Sequence, residues 1–316
     1  MSAESYSPAV DLGVTVAGLK LKNPVIAASG TFGYGVEFEE IVALEKLGAI
    51  VVKGLSREPM AGNPPPRVFE TAAGMLNSIG LQNIGARAFL AEKLPHLAKL
   101  RNVTVIANIF GYTVEDYKET ISNMNDRAGI AAYELNVSCP NTKCGGIAFG
   151  SDARLLGEVV AAAKRVAQRP LIVKLSPNVT SISRMAVAAA EGGADALSLV
   201  NTFVAMAIDP QTRRPRIGNL FAGLSGPAIK PIAVRMVYDA ARAVKIAVIG
   251  IGGISSAPDV AEFMLAGATA VEVGTASFWD PPATERIVTA LERWCVQHRV
   301  GKISELIGGV LEGQSD

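Results

Sequence analysis

Eight short runs of apolar, largely β-branched residues recur along the chain, each ending in a small or polar residue. They are Pro24–Ser29, Ala49–Lys53, Val103–Ile109, Ala131–Val137, Leu171–Leu175, Ala196–Val200, Ile246–Ile251 and Ala270–Val273. Continuous apolar runs of this length read as strands covered on both faces, as in a parallel sheet. Between them, apolar residues recur at helical spacing over Val114–Asn125, Ala153–Ala167, Ile182–Glu191, Lys230–Ala243, Pro258–Ala266 and Ala283–His298. Strand-then-helix alternation repeated eight times predicts a (β/α)8 TIM barrel, with an open six- or seven-stranded doubly wound sheet as the competing architecture. Ahead of the first strand, Leu12–Val16 and Leu19–Leu21 flank Ala17-Gly18, which predicts a hairpin capping the bottom of the barrel. Gly192-Gly193 and Gly267 read as the glycines that end helices.

Three connections are longer than a strand-to-helix loop needs: Gly54 to about Arg87, Cys139 to Gly150, and Asn201 to Gly226. All follow C-terminal strand ends, the face where barrels place their chemistry. The first holds a stiff, turn-rich Gly62-Asn63-Pro64-Pro65-Pro66-Arg67. No composition shift or linker divides the chain, so residues 1–316 are expected to form a single domain.

Composition narrows the function. Hydrophobic residues make up 49% and charged residues 19%, which supports a large core and argues against disorder. A net charge of +1 gives no reason to expect nucleic acid or an anionic membrane as partner. No apolar run reaches the roughly 18 residues of a membrane span. The first residues lack the basic-then-apolar pattern of a signal peptide, and three scattered cysteines make no disulfide framework. A cytoplasmic location is expected.

The candidate chemistry gathers at strand ends. Gly250-Ile251-Gly252-Gly253-Ile254 after the seventh run and Gly274-Thr275-Ala276 after the eighth would let backbone N–H groups approach an anion, with Gly223-Leu224-Ser225-Gly226-Pro227 adding a third approach; plain turn glycines are the alternative. Lys53 and Lys174 end apolar runs. An interior lysine is costly unless paired, so each implies an anionic or electron-rich ligand: a Schiff-base substrate, or a flavin ring that becomes anionic on reduction. Asn77, Asn108, Asn136, Asn141 and Asn201 offer uncharged donors and acceptors suited to the edge of an imide ring, whereas Asn178 reads as the start of a helix.

The fourth run empties into Ser138-Cys139-Pro140-Asn141. Metal binding is disfavoured for Cys139, because no second close pair accompanies Cys139 and Cys144, and His96 and His298 lie in helical or terminal segments. Without a histidine at a strand end, a nucleophilic thiol lacks its usual partner, which leaves a lone thiolate acting as general base. Cys144 and Cys295 read as packing or surface residues.

These residues resemble dihydroorotate dehydrogenases. The motifs are Leu135-Asn136-Val137-Ser138-Cys139-Pro140-Asn141, Met75-Leu76-Asn77 with Gly80-Leu81, Lys174-Leu175-Ser176-Pro177, Gly223-Leu224-Ser225-Gly226-Pro227 and Gly250-Ile251-Gly252-Gly253-Ile254, and the likeness covers essentially the whole chain. It implies an FMN-dependent barrel that oxidises dihydroorotate to orotate in pyrimidine synthesis. A cysteine at position 139 is similar to class 1, where class 2 has serine and a membrane-associating N-terminal extension. Asn141-Thr142-Lys143-Cys144-Gly145-Gly146 resembles the class 1B loop. Class 1B implies a partner subunit carrying FAD and a 2Fe-2S cluster that passes electrons to NAD+, around a homodimer core in a heterotetramer. This chain has neither a Rossmann-type fingerprint nor a cysteine set for a cluster of its own.

The resemblance also implies roles. FMN would contact Ala28, Ser29, Gly30, Lys53, Asn108, Asn136, Lys174, Val200 and Ser225, with its phosphate at Gly252, Gly253, Gly274 and Thr275, assisted by Gly226. Asn77, Asn136, Asn141, Asn201 and Thr202 would hold the dihydropyrimidine, and Lys53 with Ile79, Gly80 and Leu81 its carboxylate. Cys139 would remove the C5 proton as hydride leaves C6 for flavin N5. The competing readings are a flavin barrel acting on uracil-type rings, as in dihydropyrimidine dehydrogenases, a fumarate-linked class 1A enzyme, a Schiff-base aldolase or sugar-phosphate isomerase, and a catalytically dead scaffold.

Overall fold

The computed structural model describes residues 10–137, 146–311 and 313. The first element of the described residues is a hairpin, β1 (Val14–Val16) and β2 (Leu19–Leu21), turned through Ala17 and Gly18, both at positive φ. Val14, Val16 and Leu21 are buried in the main core, and the hairpin leads straight into the N-terminal end of β3 (Val25–Ala27). β4 (Ala49–Val51) follows, then a connection carrying β5 (Val68–Thr71) and β6 (Gly74–Asn77). Next come β7 (Val105–Ile109), β8 (Ala132–Asn136), β9 (Leu171–Lys174) and β10 (Ala196–Leu199). A second elaborated connection holds β11 (Phe203–Ala205), β12 (Ile208–Asp209), β13 (Arg214–Pro215) and β14 (Ala222–Ser225), before β15 (Ala247–Ile251) and β16 (Ala270–Val273).

β3, β4, β7, β8, β9, β10, β15 and β16 close into a parallel barrel in chain order, with β16 pairing back to β3. Each barrel strand lies inside one of the eight apolar runs. The helices follow the apolar periodicity to within a residue or two: Val114–Met124, Ala153–Val166, Ile182–Glu191, Lys230–Ala243, Ala257–Leu265 and Ala283–Gln297. Four of them start where a short polar side chain accepts from the backbone N–H three residues on. Those caps are Thr113, Asp152, Ser181 and Ser256. Gly193 and Gly267, both at positive φ, follow helix ends as expected.

Strict alternation does not hold everywhere. Between β3 and β4 the described chain forms two 3-10 turns, Val36–Phe38 and Leu44–Lys46, in place of an α-helix. Positive φ at Gly33 and Gly35 breaks any helical path there, while Phe32, Tyr34 and Leu47 still reach the core. Between β6 and β7, residues 85–97 coil continuously through a π-helical turn at Phe89–Lys93, a helix the periodicity does not announce. Asn178 begins no helix. Ser181 caps the one that follows, and Asn178 ties the loops, donating to the Thr202 carbonyl (3.0 Å) and accepting from the Val204 N–H (2.9 Å).

The larger addition is a four-stranded sheet in the order β11-β14-β6-β5. It is antiparallel throughout and joins the two long connections, with its own small core of Leu76, Ile217 and Ala222. Among the described residues, no helix is long and apolar enough to cross a membrane.

Candidate active site

Strand ends and the two elaborated connections enclose a cavity of about 360 Å³. Ala28, Ser29 and Gly30 reach it from the end of β3, and Lys53 from just beyond β4. Asn77, Ile79, Gly80 and Leu81 enter from β6 and the turn after it. Asn108, Asn136 and Lys174 come from β7, β8 and β9, and Val200, Asn201 and Thr202 from beyond β10. Ser225 and Gly226 follow from β14, Gly252 and Gly253 from β15, and Gly274 and Thr275 from β16. Cys139, Asn141 and Cys144 lie outside the described residues; their segment leaves β8 just past Asn136 and the buried Val137. Cys295 is fully buried, and burial pushes its thiol up from the ordinary value, as suits packing.

The glycine-rich ends form a tight cradle. Gly226, Gly252 and Gly253 all have positive φ. A Cβ on Gly253 would lie 2.8 Å from the Gly226 carbonyl oxygen, and one on Gly252 would lie 2.7 Å from the Ala233 Cβ. These loops approach so closely that only a bare backbone fits. Thr275 donates to the Ser225 hydroxyl at 2.8 Å, joining the ends of β16 and β14.

Lys174 is the centre of the polar floor, and its surroundings correct one sequence expectation. Its burial is balanced by this chain's own carboxylates: Lys174 Nζ lies 3.1 Å from Glu272 and 3.6 Å from Glu134, both fully buried. Burial alone would lower its pKa; the two neighbouring carboxyl groups outweigh that penalty and hold Lys174 above the ordinary lysine value. Glu134 in turn accepts from Asn108 Nδ2 (2.5 Å) and Ser198 Oγ (2.8 Å). Glu134 and Glu272 each sit singly inside an apolar run, Tyr133-Glu134-Leu135 and Val271-Glu272-Val273. A lone carboxylate in a barrel strand is the signal that could have found them. Arg67 and Phe278 also line the cavity, and neither was anticipated as a site residue.

The carboxamides are tied to the scaffold. Asn77 Nδ2 donates to the Gly223 carbonyl at 3.3 Å, across the β6–β14 pair, and Asn201 Nδ2 donates to Asn136 Oδ1 at 3.4 Å. Gly80 turns at positive φ against Asn63, followed by Leu81, also at positive φ. Neutral donors and acceptors therefore face the same space as Lys53 and Lys174, which suits a planar polar ring carrying negative charge.

The dihydroorotate dehydrogenase family model matches residues 11–294. The chain belongs to the dihydroorotate dehydrogenase family. It is 65% identical to a relative from Solibacter usitatus named putative dihydroorotate dehydrogenase A (fumarate), over 94% of this chain and 97% of the relative. It is also 55% identical to the dihydroorotate dehydrogenase B (NAD(+)) catalytic subunit of Pelobacter propionicus, over 95% of this chain and 98% of that one. The solved structure of a DHODH in complex with ferulenol from Eimeria tenella shares the fold at a TM-score of 0.79 and 23% identity, covering 98% of this chain and 90% of its own. Membership of the dihydroorotate dehydrogenase family makes this barrel an oxidoreductase.

Proposed function

We propose that the cavity binds FMN and dihydroorotate together, and that residues 1–316 act as one cytoplasmic domain oxidising dihydroorotate to orotate. The observation that carries this reading is the cavity itself, where a bare-backbone cradle and a ring of carboxamides and ammonium groups meet. The cradle fits a phosphate group: Gly252, Gly253, Gly274 and Thr275 would hold it, assisted by Ser225 and Gly226. Ala28, Ser29 and Gly30 leave a bulk-free edge beside the flavin, and Asn108, Asn136, Val200, Lys53 and Lys174 would line its ring. Asn77, Asn136, Asn141, Asn201 and Thr202 would orient the dihydropyrimidine, while Lys53, Ile79, Gly80 and Leu81 take its carboxylate.

Bound FMN supplies the acceptor for the hydride that leaves substrate C6. The chain's own contribution is positional and acid–base. Cys139 takes the C5 proton, the carboxamide ring fixes C5 towards that thiolate, and Lys174 offsets negative charge that develops on the pyrimidine side of the flavin. Lys53 distinguishes a carboxylated substrate from a uracil-type ring. Lys53→Met is expected to raise the KM for dihydroorotate about 10- to 100-fold, the loss of a charged hydrogen bond worth roughly 1.5–3 kcal/mol, and to leave binding of uncharged dihydrouracil unchanged. Steady-state kinetics and a binding titration check it; an equal effect on both ligands would take the carboxylate away from Lys53.

For the electron acceptor, we infer a partner subunit holding FAD and a 2Fe-2S cluster that delivers electrons to NAD+, around a homodimer core within a heterotetramer. The NAD(+)-linked names of relatives at 54–56% identity support this. A fumarate-linked enzyme acting without a partner is the second reading, favoured by the name of the relative at 65% identity. Fumarate reduction by the purified chain alone separates the two.

The test of the whole reading is a visible absorption spectrum before and after anaerobic dihydroorotate. A flavin spectrum that bleaches supports cofactor, site and substrate together. A flavin that dihydroorotate leaves oxidised would move the substrate to another pyrimidine, and a colourless protein unable to take up FMN would overturn the assignment.

A further inference from the structure

The carboxyl groups of Glu134 and Glu272 lie inside the barrel, 0% and 1% exposed, and the reaction proposed above uses neither. Both share Lys174, and their carboxyl groups are close enough to exchange a hydrogen bond. Two carboxylates beside one ammonium leave an excess negative charge in an interior that holds unpaired charge poorly. The other strands offer no compensation. β7 and β10 contribute the neutral Asn108 and Ser198, while β3, β4 and β15 are apolar along their length. Among the described residues that line the cavity, Lys53 and Arg67 are the remaining charged ones.

The two carboxyl groups are not equivalent. Glu134 receives an N–H from Asn108 and an O–H from Ser198 in addition to Lys174. Glu272 receives Lys174 through Oε2, and its Oε1 has no hydrogen-bond partner among the described residues. Donors stabilise an ionised carboxylate, and a buried carboxylate oxygen without a donor is destabilising. The charge therefore belongs on Glu134 and the proton on Glu272, where it sits between the two groups and removes the deficit at Glu272.

We propose that Glu272 is a positioning residue that remains a neutral acid, sharing one proton with the Glu134 carboxylate so that Lys174 carries a single full counter-charge where it faces the bound ligand. The balance of groups agrees. Burial and the neighbouring Glu134 charge push the Glu272 carboxyl well above the ordinary glutamate value, against the pull of Lys174. Burial also works against Glu134, but Lys174, Glu272, Ser198 and Asn108 together hold it below that value. The pair titrates as a unit. With its floor neutral overall, the cavity does not oppose negative charge arriving at Lys174; ionising Glu272 would add a repelling charge beneath it.

The shared proton is independent of the cofactor, whereas its effect on reduction rests on the FMN reading. Infrared spectroscopy of the cofactor-free chain at neutral pH is expected to show a protonated-carboxyl band. The band is lost in Glu272→Gln, and also in Glu134→Gln, where Glu272 must ionise to pair with Lys174. In the FMN-loaded protein, parent and Glu272→Gln are expected to share one flavin midpoint potential at neutral pH. Above neutrality the parent's potential falls below the variant's as Glu272 ionises. Absence of the band from the parent would overturn the proposal, as would its survival in either variant or a raised potential in Glu272→Gln at neutral pH. A chain that shows the band but takes up no FMN would sink the cofactor reading and leave the shared proton standing.

Discussion

Cys139→Ala is expected to give a yellow protein that binds orotate and is no longer bleached by dihydroorotate, its flavin reduction slowed about 10²- to 10⁴-fold, the usual contribution of a general base. The prediction rests on what else the cavity offers. The chain has two histidines, and neither lines the cavity. His96 sits in a short helix against Glu39, and His298 stacks on Trp294 at the end of the last long helix. The carboxylates buried inside the barrel, Glu134 and Glu272, are committed to Lys174, with Glu134 further held by Asn108 and Ser198. The Cys139 thiol, three residues past the end of β8 in sequence, is then the group whose ordinary pKa, about 8.5, lies close enough to neutrality to act. Cys139→Ser, with a far less acidic hydroxyl, should reduce its flavin slowly at neutral pH and faster as pH rises. Anaerobic stopped-flow absorbance checks both, and full reduction by Cys139→Ala would sink the assignment.

Lys174→Met is expected to lower stability by about 3–5 kcal/mol at neutral pH, because it removes the cation from two buried carboxyl groups. The sign with pH follows from the same groups. Lys174 is a principal cause of the depressed Glu134 value. Without it, burial raises both carboxyls, so the folded variant must bind protons that its unfolded form releases. The deficit is therefore largest at neutral and higher pH, and shrinks as pH falls toward the ordinary glutamate value of about 4.3. Urea midpoints of parent and variant from pH 4 to 8 would show it. A deficit independent of pH would place the loss in packing instead of unpaired charge.

The barrel was legible because its strands are buried on both faces. A run such as Leu171-Ile172-Val173 carries that burial in three consecutive letters, and apolar residues at helical spacing marked the long helices between the runs. The cavity-lining glycines and carboxamides were legible because chemistry of that kind at strand ends has few structural uses. The β11-β14-β6-β5 sheet was not. Its strands are three or four residues long, β5 alternates exposed and half-buried positions, and its pairing joins segments remote in sequence. Nor was the convergence of Glu134 and Glu272 on Lys174, although each stands out singly in its strand. Nothing local tells which face of a strand a single carboxylate takes, or that β8 and β16 point theirs at the same ammonium from separate sides of a closed barrel.

Asn77 and Gly223 meet in that sheet although 146 residues separate them. During synthesis, β5 and β6 leave the ribosome long before β14 exists to receive them. Closing so wide a loop is entropically unfavourable until the intervening strands have brought its ends together. The upper wall of the cavity is thus a late product of folding: the nascent chain gains it only after Ser225 has emerged, and no shorter N-terminal piece carries a complete pocket.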